Sequence, residues 1–129
     1  MNAERAVIDI GSNTVRLVIF GAPARAPTML LNEKVTARLG KGVAENGRLS
    51  AKSMQVALAA LARSAAILRM RGITHVDAAA TAASRDAENG GDFLDAVRAL
   101  GLDVRQLSGE EEALASATGV MAAFPGARG

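Results

Sequence analysis

The chain has no cysteine, no tryptophan and no tyrosine, and a single histidine among its 129 residues. Without thiols there is neither a disulfide framework nor a thiolate metal site. The lone His75, at the start of a strand-like run, reads as structural or exposed and gives no support to histidine-assisted nucleophilic catalysis. With only three phenylalanines, a core must be built from Ala, Val, Leu and Ile with short distances between layers. No stretch reaches the roughly 18 uninterrupted apolar residues of a membrane helix. The first residues, MNAERAVIDIG, lack the long apolar segment and cleavage site of a signal peptide. The expectation is a cytoplasmic protein with no membrane partner. A net charge of +2 offers no bulk-charge argument for nucleic acid as a partner. There is no G-x-x-x-x-G-K-[ST] loop. Gly40-Lys-Gly42 opens like a dinucleotide fingerprint, but the next glycine stands at position 47, outside that spacing.

What is present amounts to one domain, long enough to bury a core. The basic residues are twelve Arg against three Lys. That bias suits phosphate recognition by planar guanidinium forks and equally follows from GC-rich coding.

Residues 5–10 (RAVIDI) and 14–20 (TVRLVIF) read as β-branched strands joined by Gly-Ser-Asn, hence an antiparallel hairpin. The Pro-punctuated segment 21–27 is a loop. Residues 28–39 fit a third strand, and GKGVAENGR (40–48) reads as an irregular Gly-rich connection. Ser50 can cap a helix with apolar Met54, Leu58, Leu61, Ala65 and Leu68, ended by Gly72. Residues 74–82 make a buried strand. Phe93, Leu94, Val97 and Leu100 mark a second helix, and 103–107 another strand. Ser108 opens a third helix running to about Ala123, before Pro125 and Gly126. The order is β-β-β-α-β-α-β-α. Alternation after the first three strands implies helical crossovers, so the sheet is mixed and five-stranded with an antiparallel flank.

Three places carry possible chemistry. The turn after Asp9, Gly11-Ser-Asn-Thr14, would present successive backbone N–H groups, with Gly11 allowing close approach and the side chains adding donors for an anion. Alone it is accounted for by an ordinary hairpin turn. Asp9 within an apolar run argues for more, because a carboxylate there is costly unless partnered, for instance by a hydrated cation. In Ser108-Gly-Glu-Glu-Glu112, Ser108 and Glu111 form an S-x-x-E capping box. Glu112 lies roughly 100° further around the helix, free to act as a base at the carboxyl end of a strand. Arg85, after the buried strand, is either a solvated Arg in a loop or an oxyanion clamp.

In order and spacing, the segments AVIDIGSNTVRLVIF, ARLGKGVAENGRLS, ATAASRDAENGGDFL and LSGEEEALASATGV resemble the exopolyphosphatase / guanosine pentaphosphate phosphohydrolase (Ppx/GppA) family over about residues 6–120. The resemblance implies the actin-like ATPase (ribonuclease H-like) half-domain shared with sugar kinases and actin. It matches Asp9, Gly11, Ser12, Asn13 and Thr14 to the family's first phosphate loop, while the expectation that Asp9 holds a cation comes from its place at the strand end. It matches Arg85 to a phosphate-engaging Arg and Glu112 to the catalytic base, and implies a divalent cation, with magnesium expected. The implied substrates are polyphosphate or guanosine pentaphosphate, and a homodimer is a possible assembly. The family's second phosphate loop, of the type D-x-G-G-G-S, occurs nowhere in this sequence. The expectation is therefore an N-terminal lobe over residues 1–124, with 125–129 beginning a linker to a second lobe, and little hydrolysis by the chain alone. A non-catalytic phosphate or nucleotide sensor and an actin-like kinase lobe are the competing readings.

Overall fold

The computed structural model describes residues 4–21 and 29–117. The expected loop over 22–27, the helical extension to Ala123 and the linker at 125–129 lie outside the described residues.

Alternation builds the sheet. Strand β1 (Arg5–Ile10) turns Ala6, Ile8 and Ile10 to one face and Val7 to the other. Strand β2 (Thr14–Phe20) does the same with Val15, Leu17 and Ile19 against Val18 and Phe20. The two pair antiparallel, Ile10 opposite Val15 and Asp9 opposite Arg16. Strand β3 (Met29–Thr36) extends the meander on the outer side of β2.

Two helices follow where the sequence suggested one. The third strand stops at Thr36 because Ala37 and Arg38 both donate their N–H groups to the Asn13 carbonyl, at 3.0 and 2.9 Å. Arg38 takes up a left-handed backbone (φ 56°), and the chain turns into α1 (Leu39–Asn46). The glycines that made this segment look irregular are places of close approach. A Cβ on Gly42 would lie 2.6 Å from the Arg48 carbonyl oxygen. Helix α2 (Ala51–Arg71) starts at Ser50, whose hydroxyl accepts from Ser53 N at 3.1 Å, and ends at left-handed Gly72. It lays Ala57, Leu61, Ala65 and Leu68 on the sheet, small and large residues alternating as an aromatic-poor core requires.

Strand β4 (His75–Ala80) pairs parallel with β1, so the crossover through α2 returns beside the first strand. A second short helix, α3 (Ala82–Asp86), precedes α4 (Gly90–Ala99), which contributes Phe93, Leu94 and Val97 to the same core. Buried Asn89 clamps the α1–α2 turn, accepting from Leu49 N at 2.8 Å and donating to Leu49 O at 3.1 Å. Strand β5 (Val104–Gln106) pairs parallel with β4, and α5 (Gly109–Ala117) comes after it. His75 is exposed. The sheet order is β3-β2-β1-β4-β5.

Register aligns the strand ends. Ile10 faces Ala80, and Ala80 faces Gln106, so the three parallel strands β1, β4 and β5 end in a single row. The three segments leaving those strands therefore emerge together at one edge of the sheet.

Candidate active site at the carboxyl edge of the sheet

The first of those segments is the β1–β2 turn. Gly11 N donates to Thr14 O at 2.9 Å, closing a tight turn. The outer carbonyls are taken from behind: Ser12 O accepts from Gly40 N at 2.7 Å, and Asn13 O holds Ala37 and Arg38. Gly40 eases this approach, since a Cβ there would stand 3.0 Å from that of Ser12, a tight contact. The N–H groups of Ser12 and Asn13 find no acceptor among the described residues. A turn whose carbonyls are engaged and whose amides are free presents positive partial charge, the requirement for holding an anion. Thr14 is the first residue of β2.

The second segment is α3. Thr81 N donates to Ile10 O at 3.2 Å, and Arg85 N to Thr81 O at 3.3 Å. The third is the start of α5, where the capping box forms: Ser108 N donates to Glu111 Oε1 at 2.9 Å and Glu111 N to Ser108 Oγ at 3.0 Å. These bonds hold the Glu111 carboxyl below its ordinary value. Glu111 is thereby used up as a cap and Glu112 is left to point elsewhere.

It points at Arg85. The Arg85 Nη1 nitrogen lies 3.1 Å from Glu112 Oε2 and 3.2 Å from Leu107 O, while Nε donates to Asp86 Oδ1 at 3.3 Å. The hydrogen bond to Glu112 raises the Arg85 guanidinium above its ordinary value. Nη2 of Arg85 and Oε1 of Glu112 have no hydrogen-bond partner among the described residues. Both side chains are about one-third exposed, so the pair is reachable from solvent.

Asp9 projects from the face of β1 opposite Ile8 and Ile10. The residue as a whole is exposed, but the protein packed about its carboxyl displaces enough water to raise that group above its ordinary value by desolvation. Arg16 across the hairpin works against that shift and the charge of Glu112 adds to it. Asp9 and Glu112 are thus close enough to repel. Among the described residues no three His, Asp or Glu side chains converge into a metal cage. On the other flank of the turn, Ser12, Asn13, Arg38, Lys41, Ala83 and Asp86 line an open cleft of about 510 Å³.

The structure thus brings Asp9, the free amides of the turn, Arg85 and Glu112 to one edge. Arg85 belongs to a short helix and not to a loop. The general abundance of Arg has another use: Arg48, Arg63, Arg71, Arg98 and Arg105 pair with surface carboxylates. The cleft walls Arg38 and Lys41 and the polar side chain of Gln106 carry no signal in the sequence. Nothing in their local pattern marks them, because their neighbours come from distant segments.

A model of the Ppx/GppA phosphatase family matches residues 18–129. Exopolyphosphatase 1 of Mycobacterium tuberculosis is 34% identical over 108 residues, which cover 82% of this chain and 31% of that protein. The chain therefore spans about a third of the length of the curated relatives it matches. Among solved structures, the Aquifex aeolicus member of the Ppx/GppA family superimposes with a TM-score of 0.78 at 33% identity, covering 84% of this chain and 36% of that one. An exopolyphosphatase from Cytophaga hutchinsonii gives a TM-score of 0.79 at 33% identity, over 86% of this chain and 36% of the other. The mixed five-stranded sheet is accordingly the actin-like half-domain of these proteins.

Proposed function

Because the chain belongs to the Ppx/GppA phosphatase family, we propose that it forms one wall of the active site of an exopolyphosphatase-type phosphohydrolase. The reaction is release of terminal orthophosphate from inorganic polyphosphate. The observation that carries this reading is the Arg85–Glu112 contact at 3.1 Å beside a turn with free amides.

Glu112 keeps Oε1 unengaged while Arg85 holds Oε2, which leaves one oxygen to take a proton from water. The water oxygen attacks the terminal phosphorus in line, and the bridging P–O bond breaks with its electron pair leaving on the shortened chain. The amides of Ser12 and Asn13 and the free Nη2 of Arg85 offset charge on the equatorial oxygens. Asp9, with Glu112 beside it, fits a divalent cation of the magnesium type. Such an ion needs only one or two carboxylates besides water and phosphate oxygens, and its charge would offset the desolvation that raises the Asp9 carboxyl and the smaller repulsion from Glu112. Bound there, the cation would supply screening of the phosphate charge.

The mycobacterial relative is named an exopolyphosphatase, which favours polyphosphate over guanosine pentaphosphate as the substrate. A second lobe of the full-length protein closes the cleft in this reading, and the isolated chain turns over little substrate. A cytoplasmic location belongs to the same reading. Among the described residues no helix is long and apolar enough to cross a membrane. The test is phosphate release by the full-length protein with polyphosphate and guanosine pentaphosphate in competition. Preferential consumption of polyphosphate, lost in Glu112→Gln, is expected. Binding without turnover would replace the enzyme by a sensor of the same fold.

A further inference from the structure

Gln106 ends β5 in the row Ile10–Ala80–Gln106, and its side chain is half-buried under the turns beyond the strand ends. Its Nε2 donates to three carbonyls: Ala80 O at 3.0 Å, Thr81 O at 2.9 Å and Leu107 O at 2.9 Å. An amide has two N–H bonds, so one of them is shared between two acceptors. The carbonyls can only accept, which fixes the NH2 end of the amide toward them. The other end, Oε1, lies 2.5 Å from the Ser84 hydroxyl, whose one proton is shared with Thr81 O at 3.2 Å.

Two of those carbonyls are the ones that hold Arg85. Thr81 O accepts the Arg85 backbone N–H at 3.3 Å, and Leu107 O accepts the Arg85 Nη1 at 3.2 Å. A single amide therefore links the point where Arg85 leaves the backbone to the point where its guanidinium is parked. From there the same Nη1 reaches Glu112. The surface pair Arg98–Asp95 has no such shared brace among the described residues. A Val or Leu at position 106 would satisfy β5 as a strand and would leave both Arg85 acceptors without their common donor.

We infer that Gln106 is the positioning residue of the Arg85–Glu112 pair, with Ser84 supporting the Oε1 end of its amide. It sets the geometry of the guanidinium without touching substrate. This rests on the reading of Arg85 and Glu112 as the reacting pair, and one arm of the test does not need that reading.

The experiment uses the full-length protein with Gln106→Met, which keeps the length and removes the amide. Ser84→Ala, a smaller change that retains the Gln, is made in parallel in case the first fails to fold. NMR of the Arg85 guanidinium is the activity-independent arm. Distinct Nη1 and Nη2 signals are expected in the parent protein, averaging together in the variants while the backbone spectrum outside 80–86 and 106–112 is retained. In the kinetic arm, kcat on polyphosphate falls about tenfold in Gln106→Met and a few-fold in Ser84→Ala, and the loss shrinks in an Arg85→Ala background because the two residues act as one unit. Unchanged Arg85 signals in a folded variant would overturn the proposal. So would a kcat loss of the same size with Arg85 already removed, since that marks a general effect on folding. A parent protein without turnover but with the guanidinium response would sink the proposed reaction and leave the positioning role standing.

Discussion

One nitrogen of Arg85 serves two acceptors from one turn of chain: Nη1 lies 3.2 Å from Leu107 O and 3.1 Å from Glu112 Oε2. The first contact anchors the guanidinium to the end of β5, and the second takes one oxygen of the carboxylate. The outcome is a half-committed base and a half-committed cation at the sheet edge, each with an atom to spare.

That division predicts how Glu112→Gln behaves in the full-length enzyme. Gln keeps the shape and an acceptor for Arg85 but cannot take a proton from water. Loss of general base catalysis costs about 10²–10⁴-fold, so kcat for phosphate release should fall by that order. Substrate affinity should stay within a few-fold, because the amides of the turn and Arg85 are untouched. Near-normal turnover in this variant would remove Glu112 from the role of base.

Arg85→Ala should do something different. In the proposed reaction it removes a donor to the phosphate, and it also frees Glu112 Oε2, so both kcat and affinity should suffer. Removing one such electrostatic donor typically costs about 10²–10³-fold in kcat. Steady-state kinetics on polyphosphate, with KM rising as kcat falls, are the check. An unchanged KM would mean that Arg85 orients Glu112 without touching substrate.

Legibility in the sequence differs residue by residue. The hairpin strands and the long helix from Ser50 to Gly72 are set by alternation, capping and periodicity, all local signals, and they sit where expected. Glu112 could be separated from Glu111 because the capping box consumes one carboxylate and the helical turn sends the next elsewhere. Helix α1 was not legible. Its glycines read as loop, whereas Gly40 and Gly42 are small because Ser12 and Arg48 pass close by, contacts with no trace in the local pattern. Helix α3 spans five residues, too few to show a period. Gln106 has partners on other segments, so only the assembled sheet reveals its role.

The helix pair α3–α4 predicts a stability effect. Gly90 begins α4 against the backbone of α3, and a Cβ there would overlap the Ser84 carbonyl. Gly90→Ala must push α3 away from α4, and overpacking of this kind costs about 1–3 kcal/mol. Thermal unfolding should show the loss. Because α3 also carries Arg85, activity should fall by more than the unfolded fraction accounts for. Gly91→Ala is the control, since nothing lies within 4 Å of the added atom.

The Asp9 carboxyl gives a prediction with a sign in pH. Burial raises its folded value above the ordinary 3.8, so the folded state prefers the protonated form. Stability from this group is present below the unfolded value and is lost as pH rises through the folded one. At neutral pH Asp9 therefore costs stability, and Asp9→Asn should raise the melting temperature. The gain should vanish once the pH falls below about 3.8, where both side chains are neutral. A cation bound beside Asp9 reverses the order: millimolar magnesium should stabilise the parent protein at pH 7 by mass action and leave Asp9→Asn unmoved. Equal stabilisation of both proteins by magnesium would place the ion elsewhere. A lower melting temperature of Asp9→Asn at pH 7 without the ion would mean that pairing with Arg16 outweighs the cost of burial.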